Sequence, residues 1–337
     1  MGFGQESLSG SRRNIRVDRH ILVLSLSGQN IGSGHRMRME YLADQLGEQS
    51  NTVVKILGAD EAWAREPSIV PEHPDHNPLT GVLRGLVRDA VSRNGYHIAA
   101  LDLPWGHFSP ADIHCLLAEF PEKTSLVLVD GPYVRLERSA HRVSPSISPP
   151  NHPEFTGELL WGARFVMARR RPARWRWNGG GKWICLTGTT RADFYLNQLE
   201  KLKPAALLER SFEWGSGPYA APELVRRASA SGINCIRPES FRNTQLSASY
   251  ALCRFGVGAL EMMALGTPTI ILPGWRPEEE SEIEAIRSHK LAIVLDDWNE
   301  LGRAMKCLQQ DIAAARSLSK TCIRHFSAFA VSTLLDL

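Results

Sequence analysis

The sequence predicts an α/β protein with two parallel sheets, each flanked by helices, that face each other across a cleft. Three observations support this class. Short apolar runs typical of buried strands alternate with stretches of helical periodicity from residue 21 onward. Two of these runs, ending at Ser27 and Cys253, lead into glycine-rich turns. The length of 337 residues corresponds to about two domains of ordinary size.

Composition excludes several classes of protein. Apolar residues make up 43% of the chain and charged residues 22%, which is typical of globular proteins and excludes a disordered chain. No apolar stretch reaches the roughly 18 residues of a membrane span, and residues 1–20 lack the apolar middle of a secretory signal. The net charge of +3 does not by itself indicate a nucleic-acid partner. The six scattered cysteines, without a CxxC pair, are expected to be free thiols in a reducing cytoplasm.

The first half of the chain alternates strands and helices in the manner of βαβ units. The run at residues 21–27 is continuously apolar, as in a strand that is buried on both faces. Further strands are predicted at 53–57, 97–101 and 125–129, and helices at 36–46, 79–93 and around 113–120. Strands that are connected through helices form a parallel sheet, so this half is Rossmann-like.

The alternation breaks at residues 144–153, which carry four prolines and are expected to form a loop near a domain boundary. It resumes at Trp183. Strands are predicted there at 183–187, 234–236, 250–253, 269–272 and 292–295, and helices at 192–202, 223–231, 245–249, 257–265, 278–288 and beyond. We therefore predict a first Rossmann-like domain at residues 1–155, a linker at 156–180, a second Rossmann-like domain at 181–315 and a C-terminal helix at 316–337. This helix has the option of packing back on the first domain.

The first glycine-rich turn, at residues 28–35, has the character of an anion site. Gly32, Ser33 and Gly34 permit close backbone approach, and the helix that follows directs N–H groups and partial positive charge at the turn. His35 lies at this helix N-terminus, where a cation is disfavoured, so we expect a neutral ring. A neutral imidazole beside a bound anion can serve as a general base. A capping or packing histidine is the alternative.

The second glycine-rich turn follows the strand that ends at Cys253. Gly256, Val257 and Gly258 begin a helix there, and free helix N–H groups can neutralise a diphosphate without a metal ion. Glu261, expected in the first turn of this helix, could accept hydrogen bonds from a ribose diol or could only complement the helix dipole.

Ligands of α/β proteins bind beyond the carboxyl ends of strands. Further candidate residues therefore lie in the turns that follow strands, and these turns are expected to face the same cleft. The turn that contains Gly188 and Thr189 could cradle phosphate. Asp102 and Asp130 end strands, and each could orient a base, bind a sugar hydroxyl or cap a turn. Trp105, with His107 in the same irregular loop, could line a site for a sugar or an aromatic acceptor or be an ordinary loop residue.

The sequence shares features with two other classes of protein, namely short-chain dehydrogenases and proteins that bind membrane surfaces or nucleic acids. The spacing of the first turn is similar to that of short-chain dehydrogenases, but none of the six tyrosines has a lysine four residues later, so that class is discounted. Residues 164–182 contain no acid and interleave arginines with Trp175 and Trp177, which a membrane-surface or nucleic-acid binder would use. The alternative is a linker whose arginine stems cover apolar surface. No nucleic-acid partner is expected.

Taken together, these residues resemble a known family. Gly32-x-Gly34-His35-x-x-Arg38 and the segment 161–169 are similar to motifs of the PseG family, the UDP-sugar hydrolases of pseudaminic acid biosynthesis. Residues 253–268 are similar to the nucleotide-binding helix that PseG shares with the MurG glycosyltransferase. The resemblance runs from about residue 21 to about residue 325. It implies a GT-B fold, in which a UDP-sugar lies in the cleft and neither a metal nor another cofactor is needed.

The resemblance also implies roles for individual residues. His35 would be the general base. Gly256, Val257 and Gly258 would contact the diphosphate and Glu261 the ribose, while Phe241 would lie near the uracil. An Asn-Gln or Asp-Gln pair contacts the sugar in the family, and Glu280 and Ser281 align there instead. This departure indicates that the scaffold and the leaving group are shared while the sugar and the acceptor differ.

The predicted reaction is a metal-independent displacement at the anomeric carbon of a nucleotide sugar, for which a UDP-sugar is the favoured donor. One base opposite one held leaving group predicts inversion of configuration. We favour transfer to a hydroxyl acceptor, either a small molecule or a lipid-linked one; hydrolysis, with water as the nucleophile, is the alternative. The expected location is the cytoplasm, with peripheral placement at the inner membrane surface as an option.

Overall fold

The computed structural model describes the following residues: 19–28, 34–48, 52–60, 78–149, 158–171, 177–188, 191–202, 212–217, 220–236, 240–326 and 331–335. Its strands form two six-stranded sheets, and all the strand pairs within them are parallel. The predicted α/β class with two parallel sheets is therefore confirmed.

The first sheet has the strand order β2-β1-β3-β4-β5-β6. Residues 21–27 of its central strand are all buried, as the continuous apolar run predicts. The strands are β1 (Arg19–Ser27), β2 (Thr52–Asp60), β3 (Ile98–Asp102), β4 (Ser125–Val129), β5 (His141–Ser144) and β6 (Leu159–Trp161). The helices of this half are α1 (Gly34–Gly47), α2 (Pro78–Arg93) and α3 (Pro110–Ala118).

The second sheet has the strand order β12-β11-β10-β7-β8-β9. Its strands are β7 (Trp183–Leu186), β8 (Phe212–Gly215), β9 (Asn234–Cys235), β10 (Tyr250–Cys253), β11 (Thr269–Ile271) and β12 (Ile293–Val294). The helices that follow are α4 (Ala192–Leu202), α5 (Pro222–Ala230), α6 (Phe241–Ser247), α7 (Val257–Ala264), α8 (Glu280–Ser288), α9 (Leu301–Gln310), α10 (Ile312–His325) and α11 (Val331–Leu335).

Each sheet has one point where the order of its strands reverses. In the first sheet this point lies between β1 and β3, and in the second it lies between β7 and β10. Ligands of open α/β sheets bind in the crevice beyond the carboxyl ends of the strands at such points. The topology therefore directs attention to four turns, those after β1, β3, β7 and β10.

The structure contains three strands that the sequence does not predict, namely β5, β6 and β8. β5 (HRVS) and β8 (FEWG) each carry a charged residue that interrupts an apolar run, and β6 (LLW) is a three-residue apolar run between Glu158 and Gly162. β6 lies within the stretch assigned to the linker, so the first sheet continues past residue 155 to Trp161. Helix α6 begins at Phe241, four residues before the predicted start.

The C-terminal part of the chain returns from the second domain to the first. Helix α10 contacts α7 of the second domain, whereas Leu334 of α11 is buried among core residues of the first domain such as Met39 and Leu42. Where the chain crosses, Arg170 donates a hydrogen bond of 2.7 Å to the carbonyl oxygen of Phe326. The two crossings between the domains are therefore joined to each other.

The six cysteines are free thiols, and burial raises the pKa of Cys185, Cys253 and Cys322. Cys307, in contrast, is exposed. Among the helices in the described part of the chain, none has the length and apolar character that crossing a membrane requires.

Candidate active site

A cavity of about 1600 Å³ lies between the two domains, at the crevices that the two reversals of strand order define. Both domains contribute to its wall. The predicted site residues that line it are Gly34, His35, Trp105, Asp130, Gly188, Phe241, Gly256, Val257, Gly258 and Glu261. Asp102, Glu280 and Ser281 are not part of the wall, and Gly32, Ser33 and Thr189 lie outside the described residues.

The N-termini of two helices meet at this wall. A Cβ atom placed on Gly34, the first residue of α1, would lie 3.1 Å from Cγ2 of Val257, the first residue of α7. No side chain caps α7, and Gly256, its N-cap, has a φ of 142° that side-chain-bearing residues rarely adopt. Because both helices direct partial positive charge here, the junction is suited to an anion.

His35 follows this junction on α1 and is held by a buried carboxylate. Its Nδ1 lies 2.6 Å from Oδ1 of Asp102, which is fully buried at the end of β3. A carboxylate against Nδ1 favours the tautomer in which Nδ1 carries the proton. The other ring nitrogen, Nε2, then carries the lone pair that can accept a proton.

Arg38 completes a charged network behind His35. Its Nε and Nη2 donate to the two oxygens of Asp102 at 2.8 and 2.9 Å, while Nη1 donates to Oδ2 of Asp130 at 3.0 Å. Burial alone would lower the pKa of this guanidinium, but Asp102 and Asp130 outweigh it and raise the pKa. The network therefore holds one buried cation between two carboxylates.

Asp130 lies at the cavity wall and has a backbone φ of 60°, in the left-handed region that aspartate tolerates better than most residues. Its side chain is 44% exposed, so one side contacts Arg38 and the rest is open to a ligand. This position agrees with a sugar or acceptor contact, which stays a prediction.

One predicted sugar or acceptor contact, Asp102, needs correction, and a second, Trp105, stays a prediction. Asp102 is buried behind the His35 ring and both its oxygens are occupied by His35 and Arg38, so it is placed to orient this ring and not to bind a hydroxyl. Trp105 is also buried, and its Nε1 donates to the carbonyl oxygen of Val129 at 2.8 Å. Because this polar group is used, the indole offers the cavity an apolar surface only.

The second domain presents a carboxylate and an aromatic ring to the cavity. Glu261 is buried and accepts a hydrogen bond of 3.0 Å from Nε2 of Gln245, which also lines the cavity. It is the fifth residue of α7 and so lies just past the first turn, where the sequence predicts it. Phe241 packs closely against Gly215, since a Cβ atom there would lie 2.9 Å from the ring.

Glu261 leads to a prediction about nucleotide affinity. Burial raises its pKa, although the hydrogen bond from Gln245 and the charge of Arg169 oppose this shift. Hydrogen bonds from two ribose hydroxyls require the ionised carboxylate, so we expect the affinity for UDP to fall as the pH drops through this raised pKa. Glu261→Gln should weaken UDP binding about tenfold and remove the dependence on its ionisation.

Calorimetry of UDP binding between about pH 5 and pH 8 checks this prediction. The phosphate of UDP also titrates in this range, but the ratio of the two affinities at each pH cancels that effect. Glu284→Gln, an exposed position on α8 outside the cavity wall, is the matched control. Equal affinities of the wild type and Glu261→Gln at every pH would show that the ribose contact is wrong.

The predicted pair Glu280 and Ser281 is not among the residues that line the cavity, so a sugar contact from this pair stays a prediction. Glu280 instead accepts a hydrogen bond of 2.6 Å from Nε1 of Trp275. A short 3-10 turn that ends at Glu279 precedes α8. Because Glu279 and Glu282 are three residues apart, their side chains lie on the same face, and both line the cavity.

Glu282 connects the domains at the edge of the cavity. Its oxygens accept hydrogen bonds of 2.9 Å from the backbone N–H groups of Ile147 and Ser148, in the loop after β5. The Ser148 hydroxyl donates to the same carboxylate at 2.6 Å. This residue carried no signal in the sequence because its partners lie more than 130 positions away.

Several arginines that the sequence analysis does not predict as site residues also line the cavity. Arg254 directly follows β10, and its Nη2 lies 3.6 Å from Oε1 of Glu279. Arg169 and Arg242 lie elsewhere in the wall, close enough that Arg242 contributes to a lowered pKa of Arg169, of which burial is the main cause. The rule that ligands bind beyond strand ends would have found Arg254, since it adjoins the predicted strand end at Cys253.

Two arginines of the arginine-rich segment donate hydrogen bonds to backbone carbonyl groups. Arg170 donates to the carbonyl oxygen of Val166 at 2.7 Å, and Arg171 to that of Leu246 at 2.7 Å. Burial lowers the pKa of Arg171 to about 10. Trp177 is buried and donates to the carbonyl oxygen of Ser249. This arrangement favours the linker interpretation, while residues 172–176, Trp175 among them, lie outside the described residues.

Comparisons with known proteins now bear on the fold. No protein-family model and no curated protein matches the sequence. Among solved structures, a complex of S. aureus MnaA with UDP matches with a TM-score of 0.59 at 12% identity and covers 93% of this chain and 94% of that one. MurG of Acinetobacter baumannii matches with 0.55 at 13%, covering 94% and 98%. Phytolacca americana UGT2, in complex with UDP-2fluoro-glucose and pterostilbene, matches with 0.56 at 12%, covering 95% and 98%.

These matches define the class of architecture. The chain has the GT-B fold, with two Rossmann-like domains that enclose a cleft. The expected likeness to MurG is confirmed at the level of the fold, whereas the narrower likeness to the PseG family stays a prediction.

Proposed function

We propose that the protein transfers a sugar from a nucleotide-diphosphate sugar, with a UDP-sugar as the favoured donor, to a hydroxyl acceptor, with inversion and without a metal ion. One observation carries this proposal. His35, oriented by Asp102, stands on the first domain beside the junction where the N-termini of α1 and α7 meet. A base on one domain and an anion site on the other are what a one-step displacement at an anomeric carbon requires.

The second domain would hold the donor. The backbone N–H groups at Gly256, Val257 and Gly258 face the cavity at the start of α7 and would bind the diphosphate. Glu261 would accept hydrogen bonds from the ribose, and Phe241 would lie against the base. Structural neighbours in complex with UDP and with a UDP-sugar analogue support the choice of uridine. Within the described residues, no cluster of three or more His, Cys, Asp or Glu side chains is arranged to hold a metal.

The reaction follows from these positions. Nε2 of His35 removes the proton of the acceptor hydroxyl while its oxygen attacks the anomeric carbon. The bond from that carbon to the diphosphate oxygen breaks, and the electron pair stays on the nucleoside diphosphate, whose charge the start of α7 stabilises. Asp102 stabilises the imidazolium that forms. Attack from the face opposite the leaving group inverts the configuration.

The size and lining of the cavity favour an acceptor over water. Its volume of about 1600 Å³ exceeds the 300–1,000 Å³ or so of typical small-molecule sites, which leaves room beside a nucleotide sugar. On the first-domain side, the described wall beyond His35 includes Leu103, Phe108 and Val134. An apolar molecule that carries a hydroxyl group fits this wall, whereas a hydrolase needs room only for water.

Calorimetry and product analysis test the proposal. We expect binding of UDP but not of ADP or NAD, undiminished in EDTA, and release of UDP from a UDP-sugar only when an apolar hydroxyl acceptor is present. The glycoside formed should have the inverted anomeric configuration by NMR. Free sugar without an acceptor would establish the hydrolase alternative instead. Recovery of a UDP-sugar with an altered ring configuration, or loss of activity in EDTA, would also contradict the proposal.

A further inference from the structure

The charged network behind His35 contains a residue to which the proposed function gives no role. Arg38 is buried, and each hydrogen bond that the structure shows for its guanidinium goes to a side chain of the site. We propose that Arg38 is a positioning residue that keeps the pair of His35 and Asp102 in its proton-accepting state. This inference rests on the proposed role of His35 as the base.

Arg38 affects the charge of the pair formed by His35 and Asp102. With Arg38 in place, its positive charge offsets that of the fully buried Asp102 carboxylate, while Asp130 shares the guanidinium from a side chain that is 44% exposed to solvent. Without Arg38, a fully buried carboxylate would face the imidazole alone, and the pair would carry an uncompensated negative charge. Such a pair takes up a proton at a higher pH, whichever of its two members holds that proton. A smaller fraction of the base would then be free to accept a proton at a given pH.

Arg38 also fixes the orientation of the Asp102 carboxylate relative to the His35 ring. The guanidinium uses Nε and Nη2 for the two oxygens of Asp102, and Nη2 lies 3.1 Å from Nδ1 of His35. This planar two-point contact fixes which oxygen faces the ring, and a lysine ammonium cannot reproduce it. Nη1 is held in turn by Asp130, so the fork is anchored on both sides.

The other groups around His35 do not replace Arg38. Asp102 on β3 and Asp130 after β4 are both anionic and would favour the protonated ring. Tyr133, on the same loop as Asp130, is neutral because burial raises its pKa to about 12. The starts of α1 and α7 act in the same direction as Arg38, but each carries only about half a charge. The hydrogen bonds that the structure shows for the Asp102 carboxylate come from His35 and Arg38 and not from these helix ends.

The comparison with another arginine separates this role from a structural one. Arg138 donates to the backbone carbonyls of Phe120, Pro121 and Thr124, and it is not part of the cavity wall. It fastens loops together and touches no site residue. Arg138→Met is therefore a matched control for the loss of a guanidinium with several hydrogen bonds.

The test follows the protonation of the His35 ring by NMR in protein with labelled histidine, using His35→Asn to assign its signals. In Arg38→Met we expect the midpoint of the titration to move up by about one pH unit or more. In Arg38→Lys, which keeps the charge but loses the fork, the midpoint should move less than in Arg38→Met. Arg138→Met should titrate as the wild type does. An unmoved midpoint in Arg38→Met would overturn the inference.

Kinetics provide the second readout. In Arg38→Met the acid limb of the pH–rate profile should move to higher pH, so that about a tenfold loss of kcat near neutrality is recovered at alkaline pH. A uniform loss at all pH values would point to a structural role and would contradict the inference. If no donor is turned over but the midpoint of the titration still moves, the proposed function fails while the role of Arg38 stands.

Discussion

Replacing His35 with alanine is expected to reduce turnover by about 100-fold or more, because the acceptor hydroxyl then has no group to receive its proton. The affinity for UDP should stay close to that of the wild type, since the second domain holds the nucleotide. Steady-state kinetics at saturating donor and calorimetry with UDP measure the two effects separately. This split between turnover and binding distinguishes a lost base from a damaged site.

His289→Ala is a suitable control, because His289 lies at the exposed end of α8 and is not part of the cavity wall. It should leave both quantities unchanged. If His35→Ala keeps its full rate, another group removes the proton. If it loses UDP affinity in proportion to its rate, His35 contributes to nucleotide binding and not to the chemical step.

The second large effect concerns stability. Asp102→Ala leaves the buried Arg38 without the carboxylate to which it makes two hydrogen bonds. Removing one partner of a buried ion pair costs about 3–5 kcal/mol, because the remaining charge stays desolvated. We therefore expect a loss of this size in the free energy of unfolding, measured by urea denaturation, together with a loss of activity.

An exposed ion pair gives the matched comparison. Asp89 and Arg93 are joined on the surface of α2, with more than half of each side chain exposed. Asp89→Ala should change the free energy of unfolding by at most about 1 kcal/mol. An equally small effect of Asp102→Ala would mean that Asp130 alone satisfies Arg38, and the buried network would then have much less energetic weight than its geometry indicates.

The sequence predicts the central strands well because burial on both faces leaves a continuous apolar run. β4 and β10 begin and end where the sequence predicts. β5 and β8 are not predicted because each carries a charged residue in place of a continuous apolar run, and β6 has only three residues. Pairing with neighbouring strands defines these elements, and this pairing leaves no local pattern.

The candidate site was predictable where a turn alone defines it, as at His35 and Gly256. It was not predictable where helical phase or distant pairing decides. Glu279 and Glu282 share the cavity face because α8 begins at residue 280, and a shift of one residue would have selected other side chains. The contact between Arg38 and Asp102 joins positions 64 residues apart, which no local pattern encodes.

The return of the chain to its first domain has a mechanical consequence. The chain crosses between the two domains twice, and Arg170 in one crossing donates a hydrogen bond to the carbonyl oxygen of Phe326 in the other. Two neighbouring tethers resist sliding far more than they resist bending. We therefore expect the easiest motion between the domains to be a rotation about an axis through these crossings, which the hydrogen bonds of Glu282 to Ile147 and Ser148 at the cavity edge would oppose.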